Sequence, residues 1–150
     1  MDGSTVTSAS RGPVAPAARP DAAKALRLAS EARQRHGMPA LRHDPLLARA
    51  AEGHARWMAR ANVTKHRGAG GTGMRERILA TGYDACWGAE NVASGQFSAP
   101  EVVADWMGSP GHRRNVLDAN LAEAAVGVAE GPNGLLYWAM VMARPCGDAG

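Results

Sequence analysis

The sequence predicts an α+β fold in which helices come first and an antiparallel β-hairpin comes last. Apolar residues recur mainly at helical spacing between Ala22 and Met107. By contrast, Val126 and Val128 alternate with small residues, and Leu135 to Ala143 is an apolar run rich in β-forming residues. Because helices cluster early and strands late, an antiparallel α+β arrangement is favoured over a parallel, doubly wound one.

Four helices are expected from their start and stop signals. The first runs from a cap at Asp21 to a stop at Gly37, and the second begins at Asp44-Pro45. A short third helix precedes Gly82, and a Ser98–Glu101 capping box opens the fourth. The remaining elements are a short strand over Trp87 to Val92, a turn at Ser109-Pro110-Gly111 and a hairpin turn at Gly131-Pro132-Asn133-Gly134.

The composition is that of an ordinary folded domain. The chain has 150 residues, of which 45% are apolar and 21% charged, so we expect one domain with one core. The formal net charge is +3, and basic residues occur as scattered pairs such as Arg113-Arg114, too short for a nucleic-acid-binding tract. No window approaches the roughly 18 apolar residues of a membrane-spanning helix.

The two ends of the chain differ from its middle. Residues 1–20 consist largely of Ser, Thr, Ala, Gly and Pro without hydrophobic periodicity, which predicts a disordered leader or linker. They lack the apolar stretch of a signal peptide, so a leader left after export processing, or after removal of the signal from a recombinant chain, is expected. Residues 21–146 are expected to form the domain and residues 147–150 a short tail.

Two cysteines, Cys86 and Cys146, leave two alternatives open. They can form one disulfide, which would indicate an oxidising compartment, or remain as two buried thiols. We expect Cys86 in a loop and Cys146 just after the last strand, where a bridge would fasten the C-terminal end to the domain. The disulfide is therefore favoured.

Ordered motifs occur between Ala22 and Pro145, at Asp44 to Ala48, His54 to Met58, His66, Gly88 to Ala93, Glu101 to Met107, Ser109 to Arg113, Asn115 to Leu117, Ala125 to Val128 and Tyr137 to Val141. Together, in this order, they resemble a bacterial CAP domain (cysteine-rich secretory protein, antigen 5, pathogenesis-related 1; SCP-like). The resemblance implies a three-layer α-β-α sandwich around an antiparallel sheet, in a secreted or periplasmic protein.

The resemblance also implies a cleft that holds two histidines and two acidic residues. Its histidines fall on His66 and His112, and its first glutamate on Glu90. The second acidic position is Ser109, a departure from the family pattern. Two imidazoles and one carboxylate suit zinc or another divalent metal, with water completing the shell. In an alternative geometry only the histidines bind the metal, and Glu90 holds a water or orients an imidazole.

Other polar residues receive non-catalytic interpretations. Ser109 precedes Pro110 without a nucleophile-elbow pattern, so a cap or turn role is favoured over a nucleophilic one. His54 is expected in the helical layer without chemistry, and His36 and His43 in solvent. Asn91 is expected to satisfy backbone groups.

The favoured function is a secreted binding module that contacts a lipid or sterol, a cell-wall polymer or a protein. The alternative is a protease-like metal-dependent hydrolase in which Glu90 is the general base. A third possibility is a structural domain with an empty site. The missing second carboxylate and the absence of a nucleophile motif argue against an enzyme.

Overall fold

The computed structural model describes residues 20–147. The predicted leader and tail lie almost entirely outside this range and stay predictions. The elements are α1 (Pro20–Arg35), β1 (Arg42–His43), α2 (Pro45–Ala61), α3 (Met74–Ala80), β2 (Ala85–Ser94), α4 (Ala99–Met107), α5 (Pro110–Val116), β3 (Glu123–Glu130) and β4 (Leu136–Pro145), with one 3-10 turn at Ala69–Gly71 before α3.

The starts of α2 and α4 follow from local chemistry. The Oδ1 atom of Asp44 accepts hydrogen bonds from the amides of Leu46 and Leu47 at 2.8 and 3.0 Å. The Oγ atom of Ser98 accepts one from the amide of Glu101 at 3.3 Å. These side chains satisfy amides that have no partner inside their helices, so the predicted N-caps at Asp44 and Ser98 are confirmed. The second half of the predicted capping box differs, because the Glu101 carboxylate accepts from the amide of Phe97 rather than from that of Ser98.

The described strands form one sheet in the order β1-β3-β4-β2. Strands β3 and β4 form the predicted hairpin, and β2 pairs antiparallel with β4. The two-residue β1 pairs parallel with β3, so the sheet is mixed rather than entirely antiparallel. A two-residue strand is too short to show the alternating pattern from which strands are predicted.

Alternating side chains of β3 and β4 separate two apolar layers. On β4, Trp138, Met140 and Met142 pack with α1 and α4, whereas Val141 and Ala143 pack with α2 and α3. This division follows from the two-residue period of a strand, and it gives helices on both faces of the sheet. The predicted α+β class and α-β-α layering are confirmed.

The segment around Ser109 is more helical than the sequence predicts. A turn is expected there, but Ser109 is the residue before α5, Pro110 is the first residue of that helix and Val116 its last. The predicted turn is therefore wrong for Pro110 and Gly111, which lie in the first turn of α5. Proline ends a helix in its interior but is favoured in a first turn, because the amide that it lacks would have no helical partner there.

The two cysteines form the favoured disulfide, with Cα atoms 4.8 Å apart. Cys86 lies in β2 rather than in a loop, so its predicted setting is wrong. The strand pairing is irregular between Ala85 and Trp87, and Cys86 lies at this irregularity. The bridge fastens the end of β4 to the start of β2. No helix within residues 20–147 is long and apolar enough to cross a membrane.

Candidate functional site

Glu90 lies on β2, at one edge of the described sheet, and we refer to the surroundings of its carboxylate, where the sequence predicts a cleft, as the cleft. The side chain of Glu90 is 1% exposed, and that of His66, from the loop between α2 and α3, is 59% exposed. His66 Nδ1 lies 3.0 Å from Glu90 Oε1. A carboxylate only accepts hydrogen bonds, so Nδ1 carries the proton. This bond is the main cause of the raised pKa of His66.

Arg77, on α3, binds the same carboxylate. Its Nη2 atom lies 2.9 Å from Oε1 and 2.8 Å from Oε2 of Glu90. Its Nη1 atom donates to the carbonyl of Thr72 at 2.7 Å, so the guanidinium is held from two sides. Sequence reasoning missed Arg77. A buried carboxylate needs a positive partner, so a basic partner of Glu90 could have been expected. The sequence does not identify which arginine it is.

His54, on α2, lies beneath this cluster with a fully buried side chain. Its Nε2 atom is 2.7 Å from the carbonyl of Lys65 and therefore donates to it. The same atom is 3.9 Å from Glu90 Oε1. Burial is the largest cause of the lowered pKa of His54 and outweighs the charge of Glu90, so we treat this pair as a neutral contact rather than an ion pair. The expectation that His54 packs in the helical layer is confirmed.

His112 lies on α5, and its backbone is bonded to β2 through Asn91. Burial lowers its pKa, and the charge of His66 lowers it further. The carbonyl of His112 accepts a hydrogen bond from Asn91 Nδ2 at 3.1 Å, the backbone role expected for Asn91. Ser109 is half-buried and its hydroxyl makes no capping bond to α5. His36 and His43 are exposed, as expected.

The arrangement does not suit a metal ion as it stands. Within residues 20–147, no group of three or more His, Cys, Asp or Glu side chains is placed to hold one. Both oxygens of Glu90 already accept hydrogen bonds from Arg77, which carries a permanent positive charge. A divalent ion on His66, His112 and Glu90 would have to displace that guanidinium. The metal site stays a prediction that this geometry does not favour.

Helices on both faces of a mixed sheet make the described part of the chain a three-layer α-β-α sandwich. The model of the cysteine-rich secretory protein family (CAP) matches residues 26–142, and the chain belongs to that family. The predicted family resemblance is confirmed.

Two curated relatives come from Bacillus subtilis. The chain is 31% identical over 107 residues to the uncharacterized protein YkwD, covering 71% of this chain and 42% of that protein. It is 29% identical over 103 residues to the uncharacterized membrane protein YlbC, covering 69% of this chain and 30% of that protein. The chain thus spans less than half of either relative.

Solved structures share the fold at low sequence identity. An outer surface protein from Borrelia burgdorferi has a TM-score of 0.74 at 18% identity, over 80% of this chain and 89% of that one. An extracellular protein containing an SCP domain from Bacillus anthracis has a TM-score of 0.74 at 22% identity, over 89% and 45% respectively. At this identity the likeness shows the fold alone.

Proposed function

We propose that the protein is an extracytoplasmic CAP-domain binding module whose cleft rim holds an anionic partner, and that Glu90 is not a hydrolytic base. The pairing of both Glu90 oxygens with Arg77 carries this proposal. A general base must offer a carboxylate lone pair to the water that it activates. The Glu90 side chain is 1% exposed, and its oxygens already accept hydrogen bonds from Arg77 and His66.

The exposed residues next to the two histidines in the chain are basic, and we take them as the rim of the cleft. Lys65 and Arg67 flank His66, and Arg114 is two residues after His112; all three are exposed. With Glu90 neutralised by Arg77, these cations are not offset by the central carboxylate. Such a surface attracts phosphate or carboxylate groups, as carried by wall polymers and by anionic lipid headgroups. The contact would be electrostatic and therefore weakened by salt.

An extracytoplasmic location is supported by the disulfide between Cys86 and Cys146. Disulfides form and persist in oxidising compartments and are rare in the cytosol. The secretory family to which the chain belongs points the same way. A secreted or periplasmic protein would meet the anionic polymers and lipids of the cell envelope.

Co-sedimentation tests the proposal. The chain is mixed with isolated cell walls, with phosphatidylglycerol vesicles and with phosphatidylcholine vesicles, at low and high salt. The variant is Arg67→Glu/Arg114→Glu, and Arg27→Glu/Arg49→Glu is the control that reverses two exposed charges on α1 and α2. We expect salt-sensitive binding to walls or anionic vesicles that weakens roughly tenfold or more in the rim variant but not in the control.

Two results would overturn the proposal. One is the absence of binding to any anionic surface, with retention instead on a sterol or a protein partner. The other is hydrolysis of peptide or ester substrates that Glu90→Gln abolishes while the fold, followed by circular dichroism, is retained. Binding to isolated cell walls would identify a wall polymer as the source of the anionic groups, and binding to phosphatidylglycerol vesicles would identify lipid headgroups.

A further inference from the structure

Arg77 carries a largely buried charge beside a buried carboxylate. The side chains of Arg77 and Glu90 are 11% and 1% exposed. A carboxylate removed from water to this extent needs a positive partner. Among the described residues in contact with Glu90, Arg77 supplies the only permanent positive charge, since His54 and His66 are titratable.

The contact is made at the atoms that a metal would use. The Nη2 atom of Arg77 lies between the two Glu90 oxygens, at 2.9 and 2.8 Å. A divalent ion bound to Glu90 takes lone pairs of the same oxygens, and two cations placed there would repel each other. The guanidinium and the metal are therefore mutually exclusive partners of this carboxylate.

Arg77 is not placed to move aside easily. Its Nη1 atom donates to the carbonyl of Thr72 at 2.7 Å. Gly68 packs against it so closely that an added Cβ would lie 3.1 Å from Nη1 and 2.7 Å from Nδ1 of His54. Withdrawal of the guanidinium would break these contacts and leave Glu90 without its charged partner.

We propose that Arg77 is the resident cation of the cleft, that it takes the place of a divalent metal on Glu90, and that its removal lets the neighbouring pair His66 and Glu90 bind zinc. The ligand types suit zinc, and water would complete the shell. The native chain thus carries two adjacent groups of the types that bind zinc, His66 and Glu90, together with a cation that keeps the metal out. This inference concerns the charge inside the cleft and does not depend on the partner bound by its rim.

Zinc titration of the full chain, followed by calorimetry and by equilibrium dialysis, tests this. The proteins are the native chain, Arg77→Met, Arg77→Met/His66→Ala and Arg75→Met. Arg75→Met is the matched control, because it removes an exposed arginine from the same short helix. We expect the native chain and the control to bind zinc weakly, and Arg77→Met to bind one zinc at least roughly tenfold to a hundredfold more tightly. The added His66→Ala change should abolish that gain.

Near-stoichiometric zinc in the native chain that is lost on His66→Ala would overturn the proposal. A folded Arg77→Met protein without any gain in zinc affinity would also overturn it. If Arg77→Met does not fold without metal, zinc should restore its near-ultraviolet circular dichroism. In that case Arg77→Lys is the deciding variant, because it keeps the positive charge. It should fold without zinc and gain less zinc affinity than Arg77→Met. An equal response of the two variants to zinc contradicts the proposal.

Discussion

The side-chain amide of Asn115 donates to Asn91 Oδ1 at 2.9 Å, and this bond connects α5 to the edge strand of the sheet. Asn91 is fully buried, and its own amide donates to the carbonyl of His112 at 3.1 Å. Two consecutive residues of β2 therefore have different tasks. Glu90 binds Arg77 and His66, and Asn91 binds the helix that carries His112.

Replacing Asn91 with alanine should destabilise the fold and release α5. The carbonyl of His112 and the amide of Asn115 would lose their partner, which costs about 1–3 kcal/mol for a buried polar group. Urea unfolding gives the free-energy change, and amide chemical shifts report whether residues of α5 move. Asn120→Ala is the control, because Asn120 is exposed and its change should stay within about 0.5 kcal/mol. Equal effects of both substitutions would contradict this role.

Gly127 should not tolerate a side chain. A Cβ atom there would lie 2.6 Å from the backbone of Ala51 and Glu52, so β3 and α2 would have to separate. We expect Gly127→Ala to lower the free energy of unfolding by about 1–3 kcal/mol or more. Gly53→Ala is the control, because a Cβ at Gly53 in α2 meets nothing within 4 Å.

The control should stabilise the protein by about 0.5–1 kcal/mol, because alanine is a better helix former than glycine. Thermal unfolding measures both substitutions. A neutral Gly127→Ala would mean that α2 and the sheet are not in the close contact described.

Removing the disulfide should cost several kcal/mol. Cys86 and Cys146 are 60 residues apart in the chain. In the chain-entropy description, a bridge that closes such a loop lowers the entropy of the unfolded state, which raises the free energy of unfolding by about 4 kcal/mol. Cys86→Ser/Cys146→Ser should therefore unfold at a markedly lower denaturant concentration. The native protein in reducing agent is the control and should behave like the variant. Detection of two free thiols in denatured, unreduced protein would contradict the pairing.

Tyr83 should make stability fall at alkaline pH. Its hydroxyl donates to Glu123 Oε1 at 2.6 Å, and burial is the largest cause of its raised pKa. A raised folded-state pKa gives stability that is complete below the unfolded value of 10.0 and is lost as the pH rises towards the folded value.

Tyr83→Phe removes this titration. The variant should be less stable at neutral pH by about 1.5–3 kcal/mol, since a hydrogen bond to a charged group is lost. The difference between the two proteins should shrink above about pH 10, by about 1.4 kcal/mol per pH unit. Denaturant unfolding at several pH values measures this. A difference that stays constant across that range would contradict the assigned pKa direction.

Much of the fold was predictable because its signals are local. Asp44-Pro45 and the Ser98–Glu101 pair cap helices through atoms a few residues away, and the β3–β4 hairpin follows from alternation around a turn. The helix α5 was not predicted, because Pro110 can mark either the end of one helix or the start of the next. The setting of Cys86 was missed because its strand is irregular at that point.

The sequence by itself determined the α+β class, most helix starts, the family resemblance and the candidates His66, Glu90 and His112. Only the tertiary structure decided that Arg77 neutralises Glu90 and that His54 lies beneath it. These side chains come from α3, β2 and α2, and they meet because the helices pack on one face of the sheet. Caps and turns depend on neighbours in the chain, but the charge partner of a buried carboxylate depends on the position of whole elements, which no local pattern in the sequence encodes.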